Sequence, residues 1–349
     1  MGLKQNQIKE IREHLNKAQN PLFFFDNDAD GLCSFLILQR YCEKGKGVAI
    51  KSYPELIVDY FRKVQELNAD YIFILDKPKV SEAFFEKAEQ FNIPIVWIDH
   101  HNLDEKIPEF VNYYNPALNE SENIPPTTYL GYQVSEKKDD LWIAVVGSIS
   151  DKFMPDFYPK FKEKYPDLSI DSEDAFELRY KSEIGKIVQI FSFALKDRTT
   201  NVVNMLKFLM KVKTPYEVLE ESSQNSTMHQ RFNQINSKFQ RLLEKAKDVK
   251  SNKFLFFQYS GDLSISSDLA DELNYIFPEK IVVVAYISGL KVNISARGKD
   301  VKKIILKAIE GLNDSTGGGH EEAVGAKIKV EDLNEFKRRI ENFMRLKDE

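Results

Sequence analysis

The sequence contains little cysteine and no long apolar run. Only two of its 349 residues are cysteine, Cys33 and Cys42, and both fall on one predicted helix, too far apart to form a disulfide. No apolar run approaches the roughly 20 residues that a membrane-spanning helix requires, and residues 1–6 lack the apolar stretch of a signal peptide. These absences argue against a disulfide-rich fold and a membrane anchor, and they lead us to expect a reducing, cytoplasmic location.

An excess of positive charge is also missing. Lys and Arg total 49 against 54 Asp and Glu, which gives a formal net charge of -5. A protein that coats nucleic acid without specificity would be basic, so any nucleic-acid binding must be confined to a local groove. The 349-residue length and the 42% hydrophobic content are typical of a globular chain with two separate cores.

Apolar runs alternate with helical patterns along the chain. The runs at 21–25, 71–75 and 93–98 are typical of parallel strands that are buried on both faces, and amphipathic segments separate them. This alternation predicts an α/β fold with a doubly wound parallel sheet. A long polar helix then leads into a second, smaller α/β block. We therefore expect one domain over 1–200, a helical connector over 201–248 and a second domain over 249–349.

Acidic and imidazole groups follow several of the predicted strands. Asp26, Asp28 and Asp30 follow the first run, Asp76 follows another, Asp99-His100-His101 follow a third, and Asp151 follows the apolar segment 141–147, whose periodicity does not decide between helix and strand. The carboxyl ends of parallel strands meet at one sheet edge, and carboxylates packed together repel one another unless they are protonated or share a cation. The pattern predicts a site for two divalent ions, which can activate water for phosphoryl displacement.

A second cluster lies in the C-terminal block. The segment Ser315–Gly325 contains four glycines, Gly317, Gly318, Gly319 and Gly325. His320 directly follows the first three. If it opens a helix, its backbone N–H groups could bind an anion, whereas a flexible loop is the simpler interpretation. Arg297, at the end of a predicted strand, could grip a phosphate through its planar guanidinium or could be an ordinary solvated side chain.

Taken in order, these motifs resemble the DHH phosphoesterase superfamily. The resemblance rests on residues 26–31, Asp76, Asp99-His100-His101, Asp151 and Gly317-Gly318-Gly319-His320, and it covers about 20–330. It is closest to the RecJ-like branch, which includes archaeal RecJ-like nucleases and joins a DHH domain to a C-terminal DHH-associated domain. Tyr114-Asn115-Pro116 is similar to a family turn as well.

The resemblance implies roles for individual residues. Asp26, Asp28 and Asp76 would bind one metal, and Asp30, Asp76, His100 and Asp151 would bind the other. Asp99 would orient His100, and His101 would face the scissile phosphate, so that the implied catalytic residues are Asp76, Asp99 and His101. Substrate phosphate would be held by Arg297, Gly317, Gly318, Gly319 and His320.

The function implied is a single-strand-specific exonuclease on DNA or RNA, with two divalent cations, manganese preferred and magnesium possible. Two alternatives stay open: a replisome-associated partner of GINS-type proteins with weak or no activity, and a phosphodiesterase for short oligonucleotides or cyclic dinucleotides. Lys77 follows Asp76, the aspartate that would bridge the two metals. The family usually carries a small or polar residue at this position, whereas Lys77 could reach a phosphate or compete with metal. The aromatic residues of the proline-rich stretch 152–182 could stack on bases or pack locally; they include Phe153, Phe157, Tyr158 and Phe161.

Overall fold

The computed structural model describes residues 2–51, 55–102, 106–119, 124–249 and 253–346. The chain divides into two compact units, Met1–Asn233 and Gln234–Glu349. The division falls inside the predicted connector 201–248, within a single long helix. Among the described residues, no helix is both long and apolar enough to cross a membrane.

The N-terminal unit contains a five-stranded parallel sheet, as predicted. Its strands are β1 Pro21–Asp26, β2 Lys46–Ile50, β3 Tyr71–Leu75, β4 Ile95–Ile98 and β5 Val111–Tyr114. They are ordered β2-β1-β3-β4-β5, and every neighbouring pair is parallel. This order reverses direction next to β1, and the crevice at such a reversal is where doubly wound sheets bind their ligands.

The α-helices described in this unit are α1 Gln5–Lys17, α2 Ala29–Cys42, α3 Phe61–Glu66, α4 Glu82–Gln90, α5 Thr127–Ser135, α6 Leu141–Ser150, α7 Tyr158–Lys164, α8 Ala175–Lys181, α9 Glu183–Ala194, α10 Thr199–Leu209 and α11 Tyr216–Leu219. The next helix, α12 Ser226–Lys247, contains the division between the two units. The segment that periodicity left open is the helix α6, whose residues 141–149 are all buried. A helix covered on every side has an apolar run like that of a buried strand, which is why the pattern could not decide.

The sheet is covered on both faces because alternate side chains of each strand point to opposite sides. Phe24 lies on one face in a buried cluster with Ile74 and Phe84 of α4. On the other face, the ring of Phe25 stacks on Phe35 of α2 with centroids 5.0 Å apart. The central strands β3 and β4 can therefore be apolar along their whole length, with acidic and imidazole groups following them.

Aromatic residues of the stretch 152–182 pack within the N-terminal unit. Phe161 is fully buried, and Phe153 and Phe157 are each only 9% exposed. Phe157 stacks on Tyr129 of α5 with centroids 5.5 Å apart. Of the two interpretations that the sequence left open, the structure shows local packing.

The C-terminal unit contains a mixed five-stranded sheet with helices packed on it. Its strands follow the order β6-β7-β8-β10-β9, and the elements are β6 Phe254–Ser260, α13 Ser266–Ile276, β7 Ile281–Ser288, β8 Lys291–Arg297, α14 Val301–Ile309, β9 Thr316–His320, β10 Ala323–Lys329 and α15 Leu333–Leu346. Its core packs α14 and α15 on the sheet, with Ile305 and Phe336 at its centre.

The glycine-rich segment forms neither the helix start nor the flexible loop that its composition left open. It forms the edge strand β9, antiparallel to β10, with Gly318 opposite Gly325. Gly319 has φ +140°, and a Cβ there would lie 3.1 Å from Cα of Val324. The glycines permit a close hairpin with an exposed edge. Backbone N–H and C=O groups of β9 pair with β10, instead of forming the N-terminus of a helix.

Candidate metal centre

A tight turn after β1 places the first carboxylates at the sheet edge. Asp28 caps α2, and its Oδ1 accepts a hydrogen bond of 2.9 Å from the Gly31 N–H. A Cβ on Gly31 would lie 2.8 Å from the backbone nitrogen of Asp26. Glycine is therefore required for the chain to turn this sharply from strand to helix.

Asp30 is held by the start of α5. Its side chain is fully buried, and its two oxygens accept hydrogen bonds from the Thr127 and Thr128 N–H groups, both at 2.8 Å. Burial raises the pKa of Asp30 well above its ordinary value, and the nearby Asp76 adds to the effect. Sequence analysis missed both threonines, although Pro126 just before them is a signal for a helix start.

Asp76 occupies a left-handed turn at the end of β3. Its φ is +56°, and its N–H donates to the Ile98 carbonyl over 3.0 Å. Such a conformation is unfavourable for a residue with a Cβ and is typically found at functional sites. Burial, followed by the charge of Asp28, raises the pKa of Asp76 well above its ordinary value.

The Asp-His-His segment after β4 contains an internal ion pair. Oδ1 of the fully buried Asp99 lies 2.8 Å from His101 Nδ1, and Oδ2 accepts the His101 N–H at 3.2 Å. Burial lowers the pKa of His101, but Asp99 outweighs this and raises it to about 9. The sequence analysis expected Asp99 to orient His100, whereas the side-chain hydrogen bond that the structure gives it is to His101.

His100 lies among carboxylates from three other segments. Its Nε2 is 3.2 Å from Asp76 Oδ1, 3.3 Å from Asp151 Oδ2 and 4.0 Å from Asp30 Oδ2. Burial opposes protonation, yet Asp151 and Asp30 raise the pKa of His100 overall. The imidazole therefore stands where a cation is favoured.

The six predicted metal ligands come together in three overlapping groups. In each group, one candidate ligand atom per residue lies within 4.8 Å of the others, and the groups are Asp26–Asp28–Asp76, Asp30–His100–Asp151 and Asp76–His100–His101. Asp76 belongs to two of them. Carboxylates with an imidazole suit manganese or magnesium, so the donor set fits such ions. We call the six predicted ligands, Asp26, Asp28, Asp30, Asp76, His100 and Asp151, the metal centre.

The predicted substrate residues lie in the C-terminal unit. Arg297 is buried, not a solvated strand end: its Nε and Nη2 donate to the two oxygens of Asp271 over 2.8 and 3.3 Å, and Nη2 also donates to Ser267 Oγ. β9 is exposed along its whole length, including Gly317, Gly318, Gly319 and His320. The guanidinium of Arg297 is thus already engaged by a carboxylate.

Family models match both units of the chain. Residues 22–145 match the DHH family N-terminal domain, and residues 251–346 match the DHHA1 domain. The chain belongs to the DHH phosphoesterase superfamily. The first match contains five of the six residues of the metal centre, and the second contains the β9 hairpin. A comparison with curated proteins found no match.

Solved structures show the same fold at low sequence identity. RecJ from Thermus thermophilus in complex with Mn²⁺ is 15% identical with a TM-score of 0.69, and the match covers 97% of this chain and 54% of that one. This DHH chain therefore spans about half the length of that RecJ. Another exonuclease RecJ bound to manganese is 16% identical with a TM-score of 0.67, covering 98% of this chain and 95% of that one. CDC45 from Entamoeba histolytica is 9% identical with a TM-score of 0.53, covering 97% and 99%.

Proposed function

We propose that this chain is a divalent-metal-dependent exonuclease that hydrolyses phosphodiester bonds of single-stranded DNA or RNA. One observation carries the proposal. Asp76 belongs both to a group of three carboxylates and to a group with two imidazoles, and the candidate ligand atoms of each group lie within 4.8 Å of one another. Two solved RecJ structures of the same fold contain manganese, which supports manganese as the preferred ion, with magnesium as a substitute. The free thiols of Cys33 and Cys42 agree with the reducing cytoplasm as its location.

The metal centre would hold two ions. Asp26, Asp28 and Asp76 would hold one, and Asp30, Asp76, His100 and Asp151 would hold the other. Such a pair, when bound, supplies the Lewis acidity that activates water and stabilises the leaving oxygen. The N–H groups at the start of α5 hold Asp30 in one orientation.

His101 is the group that would contact substrate in the N-terminal unit. Its raised pKa of about 9 keeps it protonated near neutral pH, and Asp99 fixes its ring. A protonated imidazole there can donate a hydrogen bond to the scissile phosphate and stabilise its developing charge. In the C-terminal unit, Arg297 and the β9 segment with Gly317, Gly318, Gly319 and His320 would hold a substrate phosphate; Arg297 would first have to release Asp271.

The test uses the full-length protein and a labelled single strand with Mn²⁺. Asp28→Asn and His100→Ala should reduce hydrolysis to the background level, because each removes a ligand of a different ion. Asp171→Asn is the matched control, since Asp171 lies on the surface and pairs only with the exposed Lys162 among the contacts described. Turnover by both ligand variants at the wild-type rate would refute the proposal.

A second candidate is a replication-associated partner with weak or no activity, which could bind GINS-type replisome proteins. The fold shared with CDC45 is the observation that favours it. Wild-type protein that binds no Mn²⁺ by calorimetry yet co-elutes with purified GINS-type proteins would support this candidate against the nuclease. A phosphodiesterase for short substrates would instead hydrolyse a dinucleotide faster than a long strand, so both lengths should be compared first.

A further inference from the structure

Lys77 is a lysine whose whole side chain is buried beside the metal centre. It follows Asp76, and only 1% of its surface is exposed. Its backbone is anchored, because its carbonyl accepts a hydrogen bond of 2.9 Å from Trp97 Nε1. A buried ammonium is tolerated only when charged or polar partners surround it.

The partners of this ammonium connect it to one half of the metal centre. Nζ of Lys77 lies 3.2 Å from Asp26 Oδ1 and donates to the Lys51 carbonyl over 2.6 Å. Asp26 is itself 6% exposed and belongs to the group Asp26–Asp28–Asp76. The lysine therefore places a positive charge beside a carboxylate of this candidate metal site.

The other half of the centre is arranged around an imidazole. The ion pairs given for Asp30 and Asp151 are with His100 Nε2, a ring nitrogen of the kind that binds metals directly. A lysine ammonium has no lone pair and cannot become a ligand without losing its charge. The two halves thus differ in how their negative charge is balanced.

We propose that Lys77 is a positioning residue that neutralises part of the charge of Asp26 and makes the Asp26–Asp28–Asp76 site the weaker of the two metal sites. This inference rests on the proposed function. The Asp30–Asp76–His100–Asp151 site then fills at lower concentrations of Mn²⁺, and the site beside Lys77 fills last. Activity would follow occupancy of the second, weaker site.

The experiment is a Mn²⁺ titration of the metal-free, full-length protein, followed by calorimetry and by the electron paramagnetic resonance signal of free Mn²⁺. Wild-type protein should bind two ions with separate affinities. Lys77→Met, which keeps the volume, and Lys77→Gln, which keeps an N–H donor, should each tighten the weaker site by about tenfold or more, because a nearby positive charge is removed. The tighter site should change little. Lys9→Met, at an exposed lysine of α1, is the control and should bind as wild type.

Two ligand variants identify the sites without altering Lys77. Asp151→Asn should abolish the tighter binding class, and Asp26→Asn should leave that class in place. The inference is overturned if Asp26→Asn removes the tighter class, or if both Lys77 variants reproduce the wild-type titration. Wild-type protein that binds no Mn²⁺ would refute the proposed function as well, so the two failures are distinguishable.

Discussion

Gly147 offers a direct test of how packing supports the metal centre. It lies in the interior of the buried helix α6, and a Cβ there would lie 2.6 Å from both Cβ and Cγ2 of Thr128. Thr128 is fully buried, and its N–H donates to Asp30. The change Gly147→Ala must therefore displace Thr128 or α6, and displacement of Thr128 disturbs the hydrogen bond that orients Asp30.

The expected change in the free energy of unfolding of Gly147→Ala follows from two opposing effects. Overpacking a rigid core site destabilises by about 1–3 kcal/mol, whereas replacing a helical glycine by alanine gains about 1 kcal/mol. We expect the overpacking cost to lie in the upper part of its range, about 2–3 kcal/mol, because the obstacle is a β-branched side chain with little freedom to rotate, and the net loss is then about 1–2 kcal/mol. The affinity for Mn²⁺ should fall at the same time, since Asp30 loses its fixed orientation.

Gly131→Ala in α5 is the matched control. A Cβ at this position would meet Leu38 Cγ and the Ser34 carbonyl at 3.7 Å, which is ordinary van der Waals contact. This variant should be stabilised by up to about 1 kcal/mol through helix propensity alone.

Urea unfolding followed by circular dichroism in EDTA measures both glycine variants, and a Mn²⁺ titration then measures the metal centre. Equal stability of Gly147→Ala and Gly131→Ala would refute the packing argument. A destabilised Gly147→Ala that binds Mn²⁺ with wild-type affinity would refute only the link through Thr128.

Two further predictions concern buried charge. Burial and mutual repulsion raise the pKa values of three aspartates of the metal centre, so above about pH 4 these carboxyl groups bind more protons in the folded, metal-free protein than in the unfolded chain, and their contribution to stability should fall as pH rises. The raised pKa of His101 acts in the same direction, with its stabilisation lost as pH approaches about 9; melting temperatures in EDTA that do not fall between about pH 5.5 and about pH 8 would contradict this. Separately, Arg40→Met should cost about 3 kcal/mol in urea unfolding, because it leaves the 1% exposed side chain of Asp140 without its 2.7 Å ion pair. Lys162→Met, which removes a surface ion pair, should have no measurable effect on stability. A similar loss of stability in both variants would refute the distinction between buried and surface ion pairs.

The amino-acid sequence determined the elements that depend on local pattern. The apolar run Tyr71–Leu75 is β3 with the predicted bounds, because a strand buried on both faces needs apolar residues at every position. The acidic and imidazole residues that follow β1, β3 and β4 were predicted to share one sheet edge, and the structure brings their side chains together in overlapping groups. Neither result required knowledge of distant contacts.

Local pattern failed where two structures need the same composition. The apolar segment of α6 suits a buried helix and a buried strand equally. The glycines of β9 suit a helix start as well as a hairpin, and only the pairing with β10 decides between them.

Tertiary structure alone chose the partners of two buried cations. The sequence contains Arg297 and Lys77, but their partners Asp271 and Asp26 lie 26 and 51 residues away along the chain. Long-range packing sets these distances, and the energy of a buried charge depends steeply on them. The sequence therefore determined which candidate ligands this DHH protein carries, and the fold decided how their charges are balanced.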